Sequence, residues 1–162
     1  MPISDIQWAY AAGIMDGEGS FSIGRGGRKP DHDHLNGYYN YQLIVSLGNT
    51  NEKLIAWLIE IFGGVKYLGH RSKTDRQKNG YLWRIHGKGP QREFIQGVLP
   101  YLLLKKEQAW LALEMINTEG KNPEVRRELW LKMKHFNHKG KTVETNTPNA
   151  ASPAAKIESE LS

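Results

Sequence analysis

The residues best suited to do chemistry lie in one short stretch near the start of the chain, Ala11-Ala12-Gly13-Ile14-Met15-Asp16-Gly17-Glu18-Gly19. In this stretch a run of small residues leads to the carboxylate of Glu18, which stands between two glycines. Carboxylate oxygen is a preferred ligand of Mg²⁺, and glycine allows a backbone to approach a phosphate closely. The stretch therefore predicts a site at which Glu18 holds a divalent metal ion beside a phosphate group.

A helix is the element that must position Glu18. Ser4 followed three residues later by Gln7 is typical of a capping box, which predicts a helix from about Asp5 to Asp16. Small residues recur along this helix every fourth position, so a second helix can approach it closely. The residues predicted to form such a dimer interface are Ala9, Ala12, Gly13, Asp16 and Gly17. The alternative is a chance row of small residues that ends in an ordinary helix C-cap beside a solvated acid.

Length and charge limit the classes of protein to consider. The 162 residues predict one domain over 1–145 and a flexible C-terminal tail over 146–162. There are 22 Lys and Arg against 17 Asp and Glu, which gives a net charge of +5 and favours a polyanionic partner. Cysteine is absent, which excludes disulfides and thiolate metal sites. The sequence shows neither a secretory leader nor a long apolar run. We therefore expect an intracellular protein, in the cytoplasm of an archaeon or bacterium or in an organelle, with no membrane partner and no small-molecule substrate.

Hydrophobic periodicity predicts an α+β fold, in which helices cover one face of an antiparallel sheet and extra helices follow at the C-terminus. A first strand at 21–23 is expected to pass into a long polar loop, and residues 39–47 alternate with the period of a strand. Thr50 is the predicted cap of a helix from about 51 to 62. Trp57, Trp110 and Trp130 are expected to pack in the core.

The polar positions of the predicted strands suggest a nucleic-acid surface. Those turned away from the apolar set are Ser22, Asn40, Gln42, Ser46, Lys66, His70, Arg84 and His86. Basic residues expected in the loops between the strands are Arg25, Arg28, Lys29, Arg71, Lys73, Arg76 and Lys78. Such a sheet can enter the major groove, where amides and cations contact bases and phosphates. A solvated sheet face with ordinary charged turns is the alternative. Because the aromatic strand residues fall with the apolar set, duplex DNA is favoured over RNA.

Residues 11–19 resemble the nine-residue signature of the LAGLIDADG homing endonucleases, with Ala11 in place of the leading leucine and Glu18 in place of the final aspartate. The predicted order of elements is similar to the αββαββα core of that family, whose antiparallel sheet is saddle-shaped. The segment Leu99-Pro100-Tyr101-Leu102-Leu103-Leu104-Lys105 is similar to the family segment that carries a lysine near the cleavage site. From the residues alone, Lys105 opens a helix beside an apolar wall, where a lysine can serve as an electrostatic partner or proton donor. Without the resemblance, a snorkelling surface lysine is the favoured interpretation.

The resemblance implies a specific activity. A chain with one copy of the signature implies an intron-encoded homodimer that makes a staggered double-strand break in a long pseudo-palindromic DNA site, with Mg²⁺ or Mn²⁺ as cofactor. Glu18 and the carbonyl of Gly17 would bind the metal, Asn49 would position water, and Lys53 and Lys105 would act nearby. Lys139 and Lys141, with Asn137, would contact the DNA backbone. Two alternatives stay open: a non-cleaving binder on the same scaffold, such as a splicing maturase or a repressor, and a metabolic α+β enzyme with an accidental motif.

Overall fold

The structure is a computed structural model that describes residues 2–28, 38–70, 78–118 and 122–138, without the side chains of Arg28, Tyr38 and His70. Several predicted positions lie outside the described residues, namely Lys29, Arg71, Lys73, Arg76, Lys139, Lys141 and the tail over 146–162. The elements are α1 Asp5–Glu18, β1 Gly19–Arg28, β2 Tyr38–Asn49, α2 Glu52–Phe62, β3 Val65–His70, β4 Gly80–Ile85, α3 Lys88–Val98, a 3₁₀ turn Leu99–Tyr101, α4 Lys106–Asn117 and α5 Pro123–His138.

The four strands form one antiparallel sheet in the order β1-β2-β4-β3, which confirms the predicted α+β architecture. Alternate residues of β2 and β4 are buried against the helices, as the period of two predicted; they include Leu43, Val45, Leu47 and Trp83. The helices and this sheet face share one hydrophobic core. The opposite face, which we call the open sheet face, carries mostly exposed or half-exposed side chains among the residues that the structure describes. Among the described residues, no helix is long and apolar enough to cross a membrane.

Two helix ends explain how the first helix reaches its functional residues. Ser4 and Gln7 form the predicted capping box at the start of α1. The helix continues to Glu18, two residues beyond the predicted end, because the N–H of Gly19 still bonds to main-chain carbonyls of the last turn.

The predicted cap at Thr50 is wrong: the side chain of Asn51 caps α2 by accepting a hydrogen bond from the backbone of Lys53.

The first strand is longer than predicted, which changes the position of Arg25. Strand β1 pairs with β2 along its whole length, and Arg25 lies opposite Tyr41 on the helix-covered face. Its guanidinium stacks on the rings of Tyr39 and Trp130, at 4.7 and 4.5 Å from their centroids. Arg25 therefore lies in a strand and not in the predicted loop, whereas its contact with DNA remains a prediction.

Lys66 is also on the helix-covered side. It lies opposite Trp83, which is fully buried, and its ammonium group forms an ion pair with Glu52 of α2. The hydrogen bond with Lys66 is the main cause that lowers the pKa of Glu52, although both side chains are exposed. The prediction placed Lys66 on the open sheet face because it is a polar residue between Val65 and Tyr67. Strand β3 is an edge strand whose residues 65–69 are all exposed, so side-chain polarity along it does not show which face each residue takes.

Two further expectations about packing need correction. Trp110 is exposed on α4 rather than buried in the core, whereas Trp57 and Trp130 are partly buried against it. Asn137 lies in α5, and its amide donates to the backbone carbonyl of Phe21 at 3.1 Å. Its amide thus joins α5 to β1, and the expectation that Asn137 belongs to a loop is wrong, whereas its contact with DNA remains a prediction.

Candidate active site and nucleic-acid interface

Glu18 and Asn49 meet at one end of the sheet. Glu18 is the last residue of α1, and Asn49 is the last residue of β2. The side-chain amide of Asn49 donates a hydrogen bond to the exposed carboxylate of Glu18. The other atom of that amide, Oδ1, accepts from the backbone N–H of Asn51 at 2.7 Å. The start of α2 therefore orients Asn49, and Asn49 in turn orients Glu18.

Lys105 reaches the same region from the other end of the chain. It is the N-cap residue of α4, and its Nζ donates to the carbonyl oxygens of Met15 and Gly19 at 2.7 and 2.6 Å. The expected apolar wall is absent, since Leu103 and Leu104 are 84% and 73% exposed. Partial burial lowers the pKa of Lys105, and the nearby carboxylate of Asp16 raises it by a smaller amount. The cation lies against the backbone on both sides of Glu18.

Two of the residues predicted for the dimer interface, Ala12 and Asp16, make their contacts within the chain. Ala12 is 0% exposed in the hydrophobic core of its own chain, so a partner chain cannot contact it. Asp16 uses both carboxylate oxygens inside the chain, where they accept from the backbone N–H groups of Leu103, Leu104 and Lys105. The prediction assigned two neighbouring rows of small residues to one face, but only the row of Ala9, Gly13 and Gly17 is exposed.

The outward face of α1 keeps the other predicted interface residues. Ala9, Gly13 and Gly17 are exposed, and Ile6 is 82% exposed on the same side with Tyr10. A Cβ atom built at Gly13 or at Gly17 finds no atom of this chain within 4 Å. Packing inside the chain therefore does not explain why these positions are glycine. We call this surface the glycine face of α1.

Lys53 lies beside the glycine face rather than in contact with Glu18. It is in the first turn of α2, and it lines a groove of about 480 Å³ between α1 and α2 that also includes Tyr10 and Trp57. Within the described part of the chain, the structure shows no bond from Lys53 to Glu18. Its proposed catalytic role remains a prediction.

A metal ion at Glu18 would need ligands from outside one chain. In the described ranges, no group of three or more His, Cys, Asp or Glu side chains could hold a metal. One chain offers the carboxylate of Glu18 and the adjacent main-chain oxygen of Gly17. Mg²⁺ takes six oxygen ligands and usually keeps several waters while it shares phosphate oxygens with the substrate. The residues thus fit a site that phosphate, water and a second chain would complete.

The open sheet face carries most of the predicted DNA-contacting positions that the structure describes. Asn40, Gln42 and His86 are exposed, Ser22 and Arg84 are partly exposed, and Ser46 is only 9% exposed. Gln42 and Asn40 lie opposite Gly24 and Gly26, whose lack of side chains leaves the two amides uncovered. Lys78 is exposed just before β4. These side chains present hydrogen-bond donors and acceptors of the kind that read base edges.

Sequence reasoning missed Tyr67 on this face. Tyr67 lies opposite Leu82, on the side away from buried Trp83, and its hydroxyl is 2.9 Å from Nε2 of His86. The expectation that no aromatic residue lies on the open sheet face is therefore wrong. Residues 65–69 of the edge strand β3 are all exposed, so the apolar ring of Tyr67 carried no signal of the face on which it lies. A hydrogen bond to one ring nitrogen restricts the tautomer of His86, and thus what its other nitrogen offers to a partner.

Comparisons with known proteins agree with this geometry. A family model described as LAGLIDADG endonuclease matches residues 11–111. The homing endonuclease I-CvuI, in complex with the I-CreI target in 2 mM Mg with uncleaved DNA, superposes with a TM-score of 0.62 and 23% identity, over 81% of this chain and 82% of that one. The archaeal intron-encoded homing endonuclease I-Vdi141I, complexed with DNA, gives 0.63 and 18% identity over 82% and 84%.

This chain covers about half of the length of a longer relative. The LAGLIDADG homing endonuclease I-LtrWI, bound to its target DNA, superposes with a TM-score of 0.56 and 14% identity, over 86% of this chain and 45% of that one. I-CvuI has also been determined with its own target in 2 mM Ca. No curated protein matches this chain in sequence. The structural likenesses show the fold, and the family model covers well over half of the sequence. This chain therefore belongs to the LAGLIDADG endonuclease family.

Proposed function

We propose that this protein is a site-specific, intron-encoded homing endonuclease that works as a homodimer and makes a staggered double-strand break in a long pseudo-palindromic DNA site. The observation that carries the proposal is the placement of Glu18, an exposed carboxylate at the end of α1 and next to the glycine face. Asn49 and Lys105 lie around the same helix end. This combination suits metal-dependent hydrolysis of a phosphodiester.

The glycine face of α1 supports the homodimer. Each helical glycine costs about 1 kcal/mol relative to alanine, and the chain itself has open space at Gly13 and Gly17. A helix from a second copy, packed backbone to backbone, would account for both residues. Two-fold symmetry would then bring the two Glu18 carboxylates to one axis, with one carboxylate for each DNA strand. I-LtrWI, of which this chain covers 45%, is consistent with two such units in a longer chain.

The residues around the end of α1 would have separate roles in the hydrolysis. Glu18 and the carbonyl of Gly17 would hold a divalent ion, Mg²⁺ or Mn²⁺, which supplies a Lewis acid and lowers the pKa of bound water. Asn49 would hold the carboxylate of Glu18 in one orientation through its amide. Lys105 would place a cation beside the phosphate, where it can stabilise developing negative charge or donate a proton to the leaving oxygen.

The open sheet face would bind the DNA. A net charge of +5 favours a polyanion, and the exposed amides of Asn40 and Gln42 can form the paired hydrogen bonds that identify adenine in the major groove. His86 and Arg84 add donors on the same face. The end of the sheet that carries Asn49 also carries Glu18, so a duplex along this face would run towards the proposed metal site.

The test measures cleavage and binding of one duplex, which is made by joining the two sequences that flank the reading frame. We call it the joined-flank duplex. The wild-type protein should bind this duplex in Ca²⁺ and cut both strands in Mg²⁺. Glu18→Gln should lower the cleavage rate at least about a hundredfold, because it removes an anionic metal ligand while preserving size. Its affinity in Ca²⁺-free buffer should stay near the wild-type value. Glu114→Gln, on the exposed surface of α4, is the matched control for loss of one charge.

The outcome also separates the alternatives. Binding without nicks at every Mg²⁺ and Mn²⁺ concentration would leave the non-cleaving binder, a maturase or a repressor. A monomer whose weak DNA affinity does not depend on salt would contradict both DNA-binding functions. Wild-type turnover by Glu18→Gln would refute the metal-binding role of Glu18.

A further inference from the structure

Asp16 and Lys105 form a reciprocal connection between the end of α1 and the start of α4. The carboxylate of Asp16 accepts from the N–H groups of Leu103 at 2.7 Å, Leu104 at 3.2 Å and Lys105 at 3.0 Å. In the opposite direction, Nζ of Lys105 donates to the carbonyls of Met15 and Gly19. We call these five hydrogen bonds the α1–α4 clamp.

The start of α4 depends on the clamp because it has no cap of its own. Lys105 occupies the N-cap position, and its side chain makes no capping hydrogen bond. The free N–H groups at a helix start need acceptors, and an acidic group there also complements the helix dipole. Asp16 accepts from the N–H of the N-cap residue Lys105 and from the N–H groups of the two residues before it, so it holds the segment that leads into α4 and, with it, Lys105.

The clamp also contacts the end of α1 through Lys105. A lysine near the last carbonyls of a helix is favourable, and at Met15 it adds a second donor to a carbonyl that already accepts from the N–H of Gly19. Lys105 bonds to the carbonyl of Met15 and to that of Gly19, which lie on either side of Glu18 in sequence. The clamp therefore fixes Glu18 and Lys105 relative to each other, although they belong to elements far apart in the chain.

We propose that Asp16 is a positioning residue that holds Lys105 in register with Glu18 for strand cleavage. The inference deepens the proposed function and rests on it. Asp16 itself does not need to touch metal or DNA for this role, since both of its oxygens are already engaged by backbone N–H groups. A small displacement of a group that acts in the transition state is enough to reduce turnover strongly.

The first measurement is cleavage and binding of the joined-flank duplex by Asp16→Ala and Asp16→Asn, with Glu114→Gln as the charge control. Asp16→Ala should reduce the single-turnover cleavage rate about a hundredfold, with the dissociation constant for DNA changed by less than about threefold. Asp16→Asn keeps one oxygen acceptor and should lie between wild type and Asp16→Ala. Equal loss of cleavage and binding would indicate general damage to the fold and would overturn the inference.

The second measurement is a double-mutant cycle with Lys105→Met. If Asp16 acts through Lys105, adding Asp16→Ala to Lys105→Met should cause little further loss of cleavage. Multiplicative effects of the two changes would mean independent roles and would overturn the inference.

Hydrogen exchange provides a readout that does not require activity. The amides of Leu103, Leu104 and Lys105 should be protected in the wild type and lose protection in Asp16→Ala, while the core amides of β2 keep theirs. Unchanged protection of the three amides would overturn the inference. A wild-type protein that cuts no DNA would instead refute the proposed function, and with it the catalytic part of this inference. If the wild-type protein is active and Asp16→Ala cleaves at the wild-type rate, the inference is refuted while the proposed function stands.

Discussion

Alanine at Gly13 should have opposite effects on the single chain and on the dimer. A Cβ atom at this position meets no atom of its own chain within 4 Å, and the residue lies in the middle of α1. Gly13→Ala should therefore stabilise the isolated chain by about 1 kcal/mol, the difference in helix propensity between the two residues. If a second helix packs against the glycine face, the same methyl group will overlap with the partner backbone.

The expected penalty in the dimer follows from the symmetry. Overpacking of a close contact costs about 1 to 3 kcal/mol, and each dimer contains the substitution twice, for a total of about 2 to 6 kcal/mol. Since about 1.4 kcal/mol corresponds to a tenfold change, the dimer dissociation constant should rise roughly thirtyfold to more than ten-thousandfold. Gly13→Leu should abolish dimer formation, because its side chain is much larger.

The assay is sedimentation over a range of protein concentrations, together with urea unfolding at a concentration where the chain is monomeric. Gly89→Ala is the matched control, since Gly89 is a helical glycine of α3 whose Cβ position is also open. It should leave association unchanged. A stable Gly13→Leu dimer, or a Gly13→Ala dimer with the wild-type dissociation constant, would refute the reasoning about the glycine face.

Three further predictions concern the sheet and Lys105. Gln42→Ala should weaken binding to the joined-flank duplex by about 1 to 3 kcal/mol and relax the preference at one base pair. The measurement uses a panel of single-base variants of the site, and equal losses of affinity on every variant would contradict base reading by Gln42. Lys78→Gln should reduce the slope of log affinity against log salt by about 0.9 if Lys78 contacts a phosphate, whereas Lys66→Gln, on the helix-covered side, should leave the slope unchanged. Because burial lowers the pKa of Lys105, the folded chain loses the ammonium proton of Lys105 at a lower pH than the unfolded chain, in which the pKa has its usual value of 10.5. The stability of the wild type relative to Lys105→Met should therefore rise with pH over that window in urea unfolding, and a constant difference would contradict a desolvated Lys105.

Local signals in the sequence predicted much of the fold. The capping box at Ser4 and Gln7, the alternation along β2 and the glycines after α2 are read within a few residues, since they depend on backbone hydrogen bonds and side-chain period. The same local reading placed Glu18 at the end of a helix. It was less successful in the edge strand β3, whose residues 65–69 are all exposed, because polarity there assigned Lys66 to the wrong face and gave no indication of Tyr67.

By itself, the sequence determined the order of the elements, the position of Glu18 at the end of α1 and the basic character of the chain. Only the tertiary structure decided that Asp16 faces inwards to Leu103, 87 residues away, while Gly13 faces outwards. The physical reason is that helix periodicity shows which residues share a face but not what that face meets. The partner of each face depends on how distant elements pack, and the sequence does not mark clearly which strand will lie at the edge of the sheet.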